Sequence, residues 1–465
     1  MNKHIISTLV VLLLLSSSFV GVSNPSEELK VDSAKIEQPI QTSAPSMDSD
    51  WPMYQHDVAN TGFSSSPFPD SLNLSYNLTY SEIINSTFIS PYSSPIVANG
   101  KIFIAGFGAN THIFALNENN GSLIWNTRLP LIYIMALINT PVVSNGKVFV
   151  CYGSLFNLPP ISILFALDEN TGEIIWEKNI EGISSVYSSI TFSNDKVIVG
   201  GHFTNIIPFS RIYVFDANNG DLIWQNKTRG YFESTPVVSN NTVFTTTSCK
   251  SPMTIGFNAP LFSGRSRVYA FDLNDGRVIW KTRVKGLTII SSPAVSNGKL
   301  LVPSTIIKGL FRWNRRVTSL DIETGEEIWH YQRRESVLNS CWPVSISTPS
   351  VAYGKIFVND ASGIIIALDE ETGEIVWERE IIDEVKGASM CAARPPVVAD
   401  HKVITSSKKI YMPSEIFEIC MFNASNGDKI WSDEFNGSFS FTPTPIAIAN
   451  GKLFINDLDV IQVYS

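Results

Sequence analysis

The sequence predicts an all-β fold: an eight-bladed β-propeller of four-stranded blades, its ring closed by an N-terminal strand. Three observations lead there. An eleven-residue unit, ALDENTGEIIW at 166–176 and ALDEETGEIVW at 367–377 among its copies, recurs seven times with no change in length. A second apolar hairpin pattern recurs eight times between those copies. Successive units end 51, 48, 56, 49, 48 and 54 residues apart, a spacing that matches propeller blades.

In chain order, residues 1–23 read as a signal peptide: Lys3 supplies the positive start, Ile5 to Leu15 the apolar stretch, and Gly21 with Ser23 the small-residue cleavage site. The alternative is an uncleaved anchor, because Ile5 to Val22 approaches the roughly 20 residues of a spanning helix. No later stretch is apolar for long enough, so the mature chain is expected to carry no membrane span and to be secreted or held at the cell surface. Residues 24–50, rich in Ser, Pro, Glu and Gln, read as a flexible linker, and 51–465 as the propeller. The segment WPMYQHDVANTGFS, 51–64, is expected to cap the propeller rim, and LNLSYNLTY, 72–80, to supply an outer strand.

Each blade is then built from two hairpins. The first follows patterns such as NTPVVSNGKVFV (139–150) and SSPAVSNGKLLV (291–302), where a short apolar strand meets an Asn-Gly turn and a longer strand. The second is the eleven-residue unit. An Asp or Asn eight residues before its final Trp can hydrogen-bond the turn backbone, and a Gly four residues before the Trp can take positive φ. The repeated residues Trp125, Trp176, Trp224, Trp280, Trp329, Trp377 and Trp431 are therefore expected to pack between blades. The eighth first-hairpin, PTPIAIANGKLFI at 443–455, is followed only by VIQVYS at 460–465. Residues 72–80 are expected to complete that blade and remove its open edge.

Composition sets broad limits. Of 465 residues, 44% are hydrophobic and 17% charged, enough apolar surface for a large core, and a net charge of -9 argues against general nucleic-acid binding. The five Cys, at 151, 249, 341, 391 and 420, form no CxxC pair, and the six His show no HxH or HExxH spacing. Cys341 and Cys391 precede the first strands of neighbouring blades, which predicts a disulfide between them or two free rim thiols. Cys420 fills a repeat position held elsewhere by Phe165, Tyr213 and Tyr269, so it reads as buried. His56 and Asp57 are adjacent and could pair as acid and base, but they sit in the capping segment. Eight Asn-x-Ser/Thr acceptors, Asn120 and Asn240 among them, would be open to glycosylation after export or are accidents of composition.

The A-x-D-x-x-T-G-x-x-x-W unit resembles the pyrroloquinoline-quinone (PQQ) type propeller repeat, and residues 51–64 look like the segment that opens PQQ-like propellers. The resemblance implies one of two functions. In quinoprotein dehydrogenases, PQQ and Ca²⁺ lie on the propeller axis, typically against a disulfide between adjacent Cys. This chain has no Cys-Cys dipeptide and no CxxCH haem site. In a BamB-like branch the ring is kept for protein contacts, and the absence of cofactor motifs is similar to that branch. The expected function is thus a non-catalytic scaffold without a cofactor; the alternative is a dehydrogenase using PQQ and Ca²⁺ in a rearranged site.

Four-stranded blades put both hairpin turns on one rim, and the second-to-third-strand and blade-to-blade loops on the other. The hairpin rim is constant in length and carries Glu169, Glu173, Glu323, Glu326, Glu370 and Glu371. The loop rim carries the large insertions 246–267 and 304–316. Its Lys250, Arg265, Arg267, Phe311, Arg312, Trp313, Arg315, Arg316, Trp342 and Arg394 mix cations with aromatic rings. That mixture is favoured at binding hot spots and predicts an acidic envelope protein or glycan as partner.

Overall fold

The computed structural model describes residues 49–465 apart from 85–88, 91–92, 109–110, 131–135, 155–160, 184–187, 203–208, 233, 250–263, 289–290, 310–311, 335–345, 361–362, 382–393, 412–413, 437–445 and 458–459. Eight separate antiparallel sheets follow one another along the chain, as the repeats require. Blade 2 shows why. Its strands Val142–Ser144, Lys147–Ser154, Ile161–Asp168 and Ile174–Glu181 are hydrogen-bonded in that order. Asn145 and Gly146 both have positive φ, 51° and 69°, so the first turn twists with its strands. In the second turn the Asp168 carboxylate accepts the Asn170 and Thr171 N–H groups, each at 2.9 Å, and Gly172 has φ 73°.

The middle strands of each blade are buried on both faces, which explains runs such as Phe149–Val150–Cys151–Tyr152 in place of polar alternation. Neighbouring blades meet through the repeat residues. The Trp125 indole N–H donates to the Glu169 carbonyl of the next blade at 2.9 Å, and Trp224 and Trp280 repeat the bond to Leu273 and Ile322 at 2.9 and 2.8 Å. Six of the seven rings, all but Trp431, also cover the next blade's turn glycine: a Cβ on Gly172 would lie 2.5 Å from Trp125. Glycine is thus needed twice, for its φ and for its missing side chain.

Blade 8 takes Ala447–Ala449, Lys452–Asp457 and Val460–Tyr464 from the C-terminal part of the chain and Leu74–Thr79 as its outermost strand. The pairing runs from Leu74↔Tyr464 to Thr79↔Val460, so the expected closure is present. Tyr76 there substitutes for the repeat Trp, its hydroxyl donating to the Glu118 carbonyl at 2.8 Å while Gly121 sits against Leu78 and Tyr76. Blades 5 and 7 have the longest middle hairpins, Lys299–Gly309 with Arg312–Asp321 and Lys402–Tyr411 with Ser414–Asn423, which rise on the loop rim. Blade 6 between them has only Lys355–Asn359 and Ile364–Asp369.

Candidate binding surfaces and the propeller axis

The axis is filled by the chain itself. Residues 49–66 run past the innermost strands and hydrogen-bond their exposed edges in turn. Trp51 pairs with Val97 of blade 1 through bonds of 2.6 and 3.0 Å, and the Pro52 carbonyl accepts Val143 N–H of blade 2 at 2.9 Å. Val58, Ala59, Thr61 and Gly62 carbonyls accept from Val238, Val295, Val351 and Val398 of blades 4 to 7, at 2.7 to 2.8 Å. Ser66 Oγ accepts Gly451 N–H of blade 8 at 2.7 Å. The opening segment was expected on the rim; it is instead an axial plug. In six blades the middle residue of the three-residue inner strand turns its N–H toward the channel, and a buried donor needs an acceptor.

The plug is bent by residues that rarely bend this way. Gln55, His56 and Asn60 have φ of 54°, 74° and 55°. Asp57 holds the bend: one carboxylate oxygen accepts from Ala59 and Thr61 N–H at 2.9 and 3.1 Å, the other from the Thr61 hydroxyl. His56 Nδ1 lies 3.7 Å from Asp57, beyond hydrogen-bond reach, and the imidazole stands edge-on to Trp51. Asp57 is thus committed to shaping backbone, which leaves the pair without an acid–base geometry.

On the loop side of the plug, a ring of hydroxyls precedes the inner strands. Thr140, Thr235, Ser292 and Thr348 accept the N–H groups of Ser94, Ser189, Thr235 and Ser292 in the preceding blades, at 3.1, 3.1, 2.8 and 2.9 Å. The Tyr54 hydroxyl joins Thr348 at 2.9 Å, and burial raises its pKa. A tricarboxylate quinone with Ca²⁺ would need several cations and a set of carboxylate and amide oxygens here. Among the described residues no three His, Cys, Asp or Glu side chains converge, and the hydroxyls are already engaged between blades. The described residues therefore do not fit that cofactor.

The hairpin rim is stitched by polar clips. Lys101 and Asn99 of blade 1 both reach Glu169 of blade 2, at 3.0 Å each. Lys452 and Asn450 reach Glu118 at 3.3 and 3.0 Å, and Asn297 reaches Glu370 at 3.0 Å. Glu169 and Glu370 are accordingly buried, 4% and 3% exposed, while Glu173, Glu323, Glu326 and Glu371 stay exposed.

The loop-rim residues divide. Arg315 and Arg316 were expected in a loop but lie in the extended strand of blade 5, and both are buried. Arg315 Nε donates to the Asp360 carbonyl of blade 6 at 3.3 Å, and Arg316 Nη2 donates to both carboxylate oxygens of Glu327 at 2.9 and 3.1 Å. Arg394 is also buried, three residues before the blade 7 inner strand Val397–Ala399. Arg265 is exposed and Arg267 half-buried on blade 4, and the backbone of Arg312 and Trp313 forms the tip of the blade 5 hairpin. Lys250, Phe311, Trp342 and both cysteines of the expected disulfide, Cys341 and Cys391, lie outside the described residues. Cys420 is buried as expected, and burial pushes its thiol up to about 12; Cys151 is buried and raised likewise.

A family model described as outer membrane protein assembly factor BamB matches residues 162–259 and 257–464. The BamB of Moranella endobia is 25% identical over 203 residues, 44% of this chain and 47% of that protein. The quinoprotein alcohol dehydrogenase PedH of Pseudomonas putida is 29% identical over 118 residues, 25% of this chain and 19% of that protein. The matches thus span less than half the length of these curated relatives. Among solved structures, a europium-containing methanol dehydrogenase aligns with a TM-score of 0.60 over 90% of this chain and 98% of its own, at 12% identity, a likeness of fold alone.

Proposed function

The chain belongs to the PQQ-like β-propeller family represented by the assembly factor BamB, and from that membership we propose an exported envelope scaffold that binds a protein or glycan without catalysis. The observation that carries this reading is the difference between the rims. The hairpin rim is spent on holding blades together, through the turn glycines, the Trp bonds and the Glu clips. The loop rim varies in height from blade to blade, with tall hairpins on blades 5 and 7, and contacts concentrate on variable segments held by a rigid frame. Arg312 and Trp313 at the blade 5 tip, with Arg265 and Arg267, supply cations and an aromatic residue for an acidic partner, and the sequence adds Lys250, Phe311 and Trp342 to the same set. Arg315, Arg316 and Arg394 then support the frame beneath that surface.

Export is supported by the leader-like start of the sequence and by the outer-membrane role in the name of the BamB relatives. Among the described residues no helix is long and apolar enough to cross a membrane. A second reading, a quinoprotein dehydrogenase with a rearranged site, is favoured by the similarity to PedH. The scaffold reading predicts that Arg312→Ala with Trp313→Ala abolishes retention by solubilised envelope extract while leaving the melting temperature unchanged. Retention that survives the double variant would move the contact off this rim.

A further inference from the structure

The outer wall of blades 3 and 4 carries a ladder of cations that no carboxylate pairs with among the described residues. In blade 4 the outermost strands, Arg265–Asp272 and Val278–Lys285, set Arg267 opposite Arg283 and Arg265 opposite Lys285, with Lys281 next along the same face. Arg265, Lys281, Arg283 and Lys285 are exposed and Arg267 half-buried. In blade 3, Arg211 lies opposite Lys227, with Arg229 two residues on. Like charges directly opposite on a sheet repel and lower stability. Where other blades set like charges opposite, a counter-charge answers them: in blade 5 Arg315 faces Arg333, which pairs with Asp360 and Glu378, and in blade 7 Glu418 faces Glu434 but is paired by Lys429.

Nothing among the described residues neutralises the blade 4 ladder. The carboxylates of these strands stand at the hairpin turns and are engaged there. Asp272 accepts the Asn274 N–H at 2.8 Å, Asp275 the Arg277 N–H at 2.8 Å, and Asp221 is paired with Lys178 at 3.2 Å. A protein whose net charge is -9 has carboxylates to spare, yet this wall has none between its cations.

We propose that the blade 3 and 4 wall binds a linear acidic polysaccharide. Alternate residues of a strand repeat every ~6.6 Å and opposite residues sit about 5 Å apart. The cations therefore form a regular row that suits a polymer bearing one carboxylate per sugar. Phe209, exposed and set opposite Arg229, places an aromatic side chain beside these cations. Arg265 joins this row to the loop rim, so the inference rests on the binding role proposed above and assigns that role a second, separate surface.

The test is equilibrium binding of the mature protein to alginate, a polyuronate, with neutral dextran and double-stranded DNA as comparators. The expected result is saturable alginate binding at about 50 mM salt that weakens at least about tenfold by about 300 mM, with no dextran binding. Lys281→Gln with Arg283→Gln and Lys285→Gln should abolish it and leave the melting temperature unchanged or higher, because repulsion is relieved. Arg312→Ala with Trp313→Ala should leave it intact, which separates this surface from the rim. No saturable binding, binding untouched by the triple variant, tighter binding to DNA at equal charge, or a lowered melting temperature with binding intact would each overturn the proposal.

Discussion

Glu169 illustrates how one residue type plays two parts on the same rim. Its carboxylate is buried between blades and holds Lys101 and Asn99, whereas Glu173, four residues on, is exposed. Removing one partner of a buried pair strands the other charge, at a cost of roughly 3–5 kcal/mol, while exposed charges contribute within about 0.5 kcal/mol. Glu169→Gln should therefore lower the urea midpoint markedly and Glu173→Gln should not. The turn aspartates add a pH dependence. Backbone N–H groups of Thr171, Thr324 and Thr372 are the main cause that lowers the pKa of Asp168, Asp321 and Asp369. A carboxylate whose pKa is lower in the folded than in the unfolded state stabilises above its unfolded value, about 3.9, and that stability is lost as the pH falls through the folded one. Denaturation midpoints should thus be flat from pH 7 to about 5 and fall below about 4. A midpoint that rises on acidification would contradict the assignment.

At the scale of the element, the eleven-residue unit is a docking device as much as a hairpin. Gly172 and Gly146 both have φ near 70°, but a Cβ on Gly172 would strike Trp125 whereas one on Gly146 would meet open space. Gly146→Ala should cost only the left-handed strain, roughly 1–2 kcal/mol, and Gly172→Ala distinctly more, read by chemical denaturation. This unit was legible in the sequence because its function is local: turn and ring recur at fixed spacing. The blade 5 hairpin was not. Insertion length at 304–316 suggested a loop, but β-prone residues resume at Thr305, Ile306 and Ile307 after Pro303, and the strands continue. That continuation buries Arg315 and Arg316 instead of displaying them. The blade 4 ladder was missed for another reason: its cations lie on two strands about 16 residues apart, and only the register places them opposite each other.

The whole molecule is a ring closed twice by its N-terminal part, once at the rim through Leu74–Thr79 and once on the axis through residues 49–66. The first closure could be counted from the repeats. The second could not, because pairings that visit seven blades in turn leave no periodic trace in the eighteen residues 49–66. Deleting residues 49–79 should accordingly lower the melting temperature sharply, and deleting 24–44 should leave it unchanged; equal small effects would refute the double closure. Function divides the same way. The binding role proposed above is tested most directly by a titration with PQQ and Ca²⁺, followed by absorption and by alcohol-dependent dye reduction. The account predicts no saturable spectral change and no dye reduction above the protein-free rate. Stoichiometric PQQ uptake with alcohol-dependent turnover would contradict it.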